Sequence, residues 1–203
     1  MDPCAALLRS EQRESRLAGA ALLRERAQHI DHATFSQQRD AWTSSLLPLL
    51  QPSEEPVIRL SAAATLLQLL TSSAPWPQER RELNACVPRV LSALLSLLTD
   101  DGGDGAGLQL VLQLAREAPH ALRPQHARLT ELLPAVVMGP CARASRAAAA
   151  LLGALPSCVA EAQYADVWLR TVQGLTGSLQ ARAQPSPRGL LPAPSPPTLL
   201  GAP

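Results

Sequence analysis

IRLSAAATLLQLL, running from Ile58 to Leu70, decides how the rest of the chain is read. Its apolar residues recur three and four apart, the spacing that lines one face of an α-helix and not the face of a strand. Just upstream, Ser53, Glu54, Glu55 and Pro56 form a helix-start signature. Acids complement the positive end of a helix, and proline is tolerated in the first turn, where its missing N–H costs nothing.

The same small-residue module recurs as SRLAGAALL from Ser15, GLQLVLQLA from Gly107 and SRAAAALLGAL from Ser145, at offsets of 43, 49 and 38 residues. Each copy is followed by a leucine-rich partner: WTSSLLPLL from Trp42, VPRVLSALLSLL from Val87, LTELLPAVV from Leu129 and WLRTVQGL from Trp168. Alanine and glycine on the first helix permit close approach, and leucine on the second fills the seam. Breakers at Pro52, Pro75 to Pro77, DDGGDGAG (Asp100 to Gly107), Pro119, Gly139-Pro140 and Pro156 separate the runs. The expected helices are 10–28, 33–50, 54–73, 79–98, 105–117, 121–137, 141–155 and 161–181, with Pro88 and Pro134 each marking a kink or a first turn. HEAT and armadillo hairpins repeat every 40–47 residues or so, and the pattern predicts an all-α, HEAT/armadillo-like helical-repeat solenoid of about four helical hairpins. The irregular offsets keep a globular helical bundle open as the alternative.

Composition points the same way. The 203 residues include 38 Leu and 34 Ala but two Ile, one Phe and one Tyr, so the β-branched and aromatic residues of a sandwich or barrel are lacking. Eighteen Arg, with no Lys, nearly cancel seventeen acids. A net charge of +1 is no phosphate-binding surplus, so no direct nucleic-acid partner is expected. MDPCAALLRSEQ has no basic region before its short apolar run and does not read as a signal peptide. Apolar runs break well short of the roughly 20 residues a membrane helix needs, so no membrane partner is expected. Cys4, Cys86, Cys141 and Cys158 are widely spaced and read as reduced thiols. From residue 183 onward periodicity ends, and seven of the final 20 residues are proline. The expected division is a helical-repeat domain over 1–182 and a disordered proline-rich tail over 183–203.

No constellation supports catalysis, a metal or a cofactor, and the chain reads as a non-enzyme. His29 and His32 flank Asp31, but three residues apart rather than the four a helical metal pair uses, so Asp31 reads as a helix cap. In the acidic glycine loop an EF-hand register from Asp100 or Asp101 puts Val111 or Leu112 where the closing Glu should stand. His120 and His126, beside Pro119 and Pro124, read as solvated. LxxLL occurs at 46–50, 66–70, 91–95, 94–98 and 129–133. Such a helix can lay its leucines in a partner's groove, which makes Leu46, Leu49, Leu50, Leu66, Leu69 and Leu70 candidate partner-binding residues. In so leucine-rich a chain the same residues are also what each hairpin must bury.

SRLAGAALLRERAQHIDHATFSQQRDAWTSSLLPLLQ, Ser15 to Gln51, resembles the opening module of the proline-, glutamate- and leucine-rich nucleolar scaffold and its fungal Rix-type pre-rRNA-processing relatives. Arg16, Gly19, Leu22 and Leu23 match that family's R-x-x-G-x-x-LL helix, and Phe35 and Trp42 match the F-x(6)-W spacing that follows. VPRVLSALLSLL and RAAAALLGALPSCVAEAQYADVWLRTVQGLTGSL look like later helices, so the likeness spans roughly residues 12–180. The resemblance implies a nuclear and nucleolar scaffold of pre-60S assembly and internal-spacer rRNA processing. It also implies partners: WD40-repeat and helical-repeat subunits, and a remodelling ATPase. Family proteins are longer, with an acidic C-terminal region, and the chain reads as a short or truncated form. A nuclear-receptor co-regulator acting through the LxxLL helices is the second reading.

Overall fold

A computed structural model describes residues 2–100, 105–139, 141–158 and, beyond these, 165, 169–170, 172–177 and 179–180. It places α1 at Pro3–Leu8, α2 at Arg13–Ala27, α3 at His32–Leu46, α4 at Pro56–Ser72 and α5 at Pro77–Asn84. Next come α6 at Val87–Asp100, α7 at Ala106–Glu117, α8 at His126–Val137 and α9 at Ala142–Cys158, with 3₁₀ segments at Pro48–Leu50 and Pro119–Gln125. Among the described residues there is no strand, so the chain is all-α as its periodicity requires. No described helix is long and apolar enough to cross a membrane. The tail over 183–203, residues 101–104 of the glycine loop and Trp168 lie outside the described residues.

Proline sets most of the boundaries. It stands in the first turn of α1, α4 and α5 and of both 3₁₀ segments. The run expected as one helix over 79–98 is two, α5 and α6, because Pro88 has no N–H for the Asn84 carbonyl and the chain turns at Ala85 and Cys86. Pro48 likewise ends α3 at Leu46, short of the expected Leu50, and Pro124 holds the segment before α8 in a 3₁₀ conformation. Pro134 stays inside α8, and Pro156, expected as a break after residue 155, stays inside α9, which continues to Cys158. The six-residue α1 is too short for periodicity to reveal, yet Cys4, Ala5 and Leu8 are buried in it.

The small-residue helices form one layer, α2 packing on α4, α4 on α7 and α7 on α9. The leucine-rich elements lie behind them: α6 against α4 and α7, α8 against α9, and α3 with its 3₁₀ turn against α1 and α4. One continuous core runs from Cys4 to Leu155. α4 is buried over most of its surface, from Ile58 through Leu70, as expected of a helix that is apolar nearly all round. Its Thr65 hydroxyl lies 3.2 Å from the Ala20 carbonyl of α2, and its buried Arg59 donates to Ser96 Oγ of α6 at 3.0 Å. The connections between first-layer helices differ from one another: α3 with a 3₁₀ turn, then α5 with α6, then a 3₁₀ segment with α8.

Gly105 fixes how α7 meets α9. Its φ of +84° is left-handed, and a Cβ there would stand 2.8 Å from Ala144 Cα and 2.9 Å from Ala144 N. Backbone cannot yield as a side-chain tip can. Gly105→Ala is expected to destabilise the chain by about 2–4 kcal/mol, the left-handed penalty plus overpacking, as a lower midpoint in urea. An unchanged midpoint would show that the two helices separate freely.

Candidate functional site

The family-like module centres on α2. Arg16 Nε donates to the Ser10 carbonyl at 2.6 Å, and its Nη1 meets Glu54 Oε2 at 2.7 Å, tying the start of α2 to the lead-in of α4. Arg13 pairs with Glu55 beside it at 3.1 Å, but both side chains are about half exposed, where such pairs contribute little. Gly19 is where α1 crosses: a Cβ would lie 2.8 Å from Leu7 Cβ and 3.0 Å from Leu8 N. The two leucines of the motif part company. Leu23 is fully buried, whereas Leu22 is 49% exposed.

Phe35 and Trp42, seven residues apart on α3, are both fully buried and meet edge to face with ring centres 6.0 Å apart. Trp76 packs on Phe35 at 5.0 Å, and His32 on Trp76 at 5.1 Å. The Trp42 indole N–H donates to Asp2 Oδ2. The other oxygen of Asp2 accepts from Arg26 Nη1 at 2.6 Å, and the Arg26 guanidinium lies 5.8 Å from the Trp42 ring. One nearly buried carboxylate thus joins α2 and α3 through a cation and an indole. Sequence reasoning missed Asp2, Arg26 and Trp76. The only signal was Asp2 standing before Pro3, which marks a helix start and says nothing of a partner forty residues away.

The HIDH segment resolves into two local roles. Asp31 caps α3, its Oδ1 accepting from the Thr34 N–H at 2.9 Å and its Oδ2 from the Thr34 hydroxyl at 2.8 Å. His32 Nε2 lies 3.0 Å from Glu79 Oε1 of α5, and Arg39 reaches from α3 to Glu82. Among the described residues no three His, Cys, Asp or Glu side chains gather as a metal would need. His120 is exposed, and His126 Nδ1 lies 2.7 Å from the Arg123 carbonyl. Cys4, Cys86 and Cys141 are free thiols. Burial pushes the Cys4 thiol up, aided by the Asp2 charge, and burial does the same at Cys86, the reverse of what activates a nucleophile.

Thr34, through its N–H and then its hydroxyl, holds the Asp31 carboxyl below the ordinary carboxylate range. Glu79 is lowered by a hydrogen bond to its own backbone and then by His32 and Ser36. A carboxyl lowered in the folded state adds stability that is present above its unfolded pKa and is lost as pH falls through the folded one. Both therefore contribute from about pH 5 upward and fade below about pH 4. Asp31→Asn keeps an acceptor at the cap and removes the titration. Its melting temperature is expected to match the parent near pH 3 and fall below it near pH 7, because only the parent gains stability as Asp31 ionises. A parallel pH profile would assign the acid sensitivity elsewhere.

Leu46, Leu49, Leu50, Leu66, Leu69 and Leu70 all lie in the core, none more than 6% exposed. Leu91, Leu94, Leu95, Leu97, Leu129 and Leu133 of the other LxxLL copies are buried with them. Each leucine face is turned toward a neighbouring helix of the same chain.

Residues 2–144 match the model of the RIX1 family, described as rRNA processing and ribosome biogenesis. The chain belongs to the RIX1 family. The matched segment runs from α1 into the start of α9 and contains the whole Arg16 to Trp42 module. RIX1 membership makes the chain a ribosome-biogenesis protein of a family not known for catalysis, and family function points to protein partners in assembly complexes. No curated protein matches the chain.

Proposed function

We propose that this RIX1-family chain is a non-enzymatic scaffold of large-subunit assembly in the nucleus, acting on pre-60S particles during internal-spacer processing. The family match over 2–144 carries the reading. The two-layer helical packing supports it, since stacked helices present extended surface to several partners at once. The expected partners are a WD40-repeat protein, a second helical-repeat protein and a remodelling ATPase. The same layering is compatible with a short solenoid of unequal hairpins over 1–182, followed by a disordered tail over 183–203. Receptor co-regulation gains no support, because the leucines it needs are in the core.

The test is sedimentation of the tagged chain from nuclear extract, with probing for spacer-containing precursors after depletion. Co-migration with 60S precursors and accumulation of internal-spacer intermediates are expected. Free migration with normal precursor ratios would sink the proposal. Limited proteolysis of the full chain is expected to cut first beyond Ala183, and a resistant segment there would refute the division.

A further inference from the structure

A shallow groove of about 440 Å³ crosses the first layer from α2 over α4, past the start of α7, to α9. Its lining is aliphatic along the middle and basic at two walls. Leu17, Leu60 and Leu110 are partly buried against the core, and Val57 is 41% exposed. Val57, Leu60 and Ala64 recur at helical spacing on the side of α4 away from Ala62, Ala63 and Leu66. Arg24 lines one wall and Arg143 the other, and among the described residues no Asp or Glu lines the groove. The other arginines near this stretch of α2 have carboxylate partners: Arg13, Arg16 and Arg26 each meet one. Arg24 and Arg143 have none among the described residues.

We propose that this groove docks an acidic segment of a protein partner, anchored by one or two aliphatic or aromatic side chains with Asp or Glu on either side. The anchors would cover Val57, Leu60 and Leu110, and the acids would meet Arg24 and Arg143, a division between apolar affinity and charged register that peptide grooves commonly use. RNA fits less well. Two cations make a small electrostatic footprint, and among the described residues no aromatic ring lines the groove for a base to stack on. The chain's own final twenty residues fit less well too, since they contain Arg188 and no acid. The proposal takes its setting from the scaffold reading but is tested without ribosomal material, so the two fail separately.

A random peptide library displayed on phage is selected on the full chain. Enriched peptides are then titrated by fluorescence anisotropy, beside a single-stranded RNA of mixed sequence. Enrichment of Asp or Glu around Leu, Ile or Phe is expected, with affinity that weakens as salt rises. The double variant R24E/R143E should lose at least about tenfold in affinity at an unchanged melting temperature, and Arg128→Glu, at an exposed position of α8 away from the groove, should lose nothing. The proposal is overturned by an absence of enriched peptides, by peptides without acids, or by equal losses in the two variants. It is equally overturned if RNA binding, or self-association of the chain, is what R24E/R143E abolishes.

Discussion

Alanine at both Leu69 and Leu70 is expected to leave the chain without a cooperative folded state. Leu69 is fully buried and Leu70 is 2% exposed, both on α4, the helix that α2, α6 and α7 all pack against. A buried Leu→Ala change removes transfer energy and leaves a cavity, at about 2–5 kcal/mol each. Two together rival the total stability of a typical domain, about 5–15 kcal/mol. Circular dichroism should show no cooperative melt, and every interaction of the protein should vanish together. A folded double variant that still joins assembly particles but fails to bind a nuclear receptor would reverse the ranking of the two readings.

Trp42→Ala should follow closely in size. The indole is fully buried, meets Phe35 edge to face and donates its N–H to Asp2, which it shares with Arg26. Truncation is expected to cost about 3–5 kcal/mol and to lower the melting temperature by about 6–20 °C in a chain of this length. It also leaves one oxygen of a nearly buried carboxylate without its donor. Trp42→Phe, which keeps a ring and loses the donor, should fall between the parent and alanine. A melting temperature unmoved by alanine would mean that Trp42 is exposed in solution, and would make it a contact for a partner.

Much of the helix content was legible because it is a local property. The three-and-four spacing through Ile58–Leu70, the Glu-Glu-Pro start before it and the prolines at 56, 77 and 119 act over four or five residues. Asp31 was legible as a cap for the same reason, since Thr34 is three residues away. Boundaries failed where one proline outweighed an otherwise continuous pattern. Pro88 split 79–98 into α5 and α6, and Pro124 delayed α8 to His126. α1 escaped because six residues make fewer than two turns, and its burial depends on Gly19 letting it approach α2.

By itself the sequence determined an all-helical chain, its main breaks and, through the Arg16 to Trp42 module, its likeness to the Rix-type family. Only the tertiary structure decided which side of each helix meets a neighbour. α4 is apolar nearly all round, so periodicity could not separate its core leucines from a docking face; the packing of α2, α6 and α7 about it did. Leu22 and Leu23 are adjacent and chemically identical, yet a step of about 100° around α2 leaves one half exposed and buries the other. The link of Asp2 to Trp42 and the meeting of Arg24 with Arg143 across one groove span 40 and 119 residues. Propensity and spacing act within a turn or two of helix, whereas those contacts are set by how whole helices stack, which no short stretch of sequence encodes.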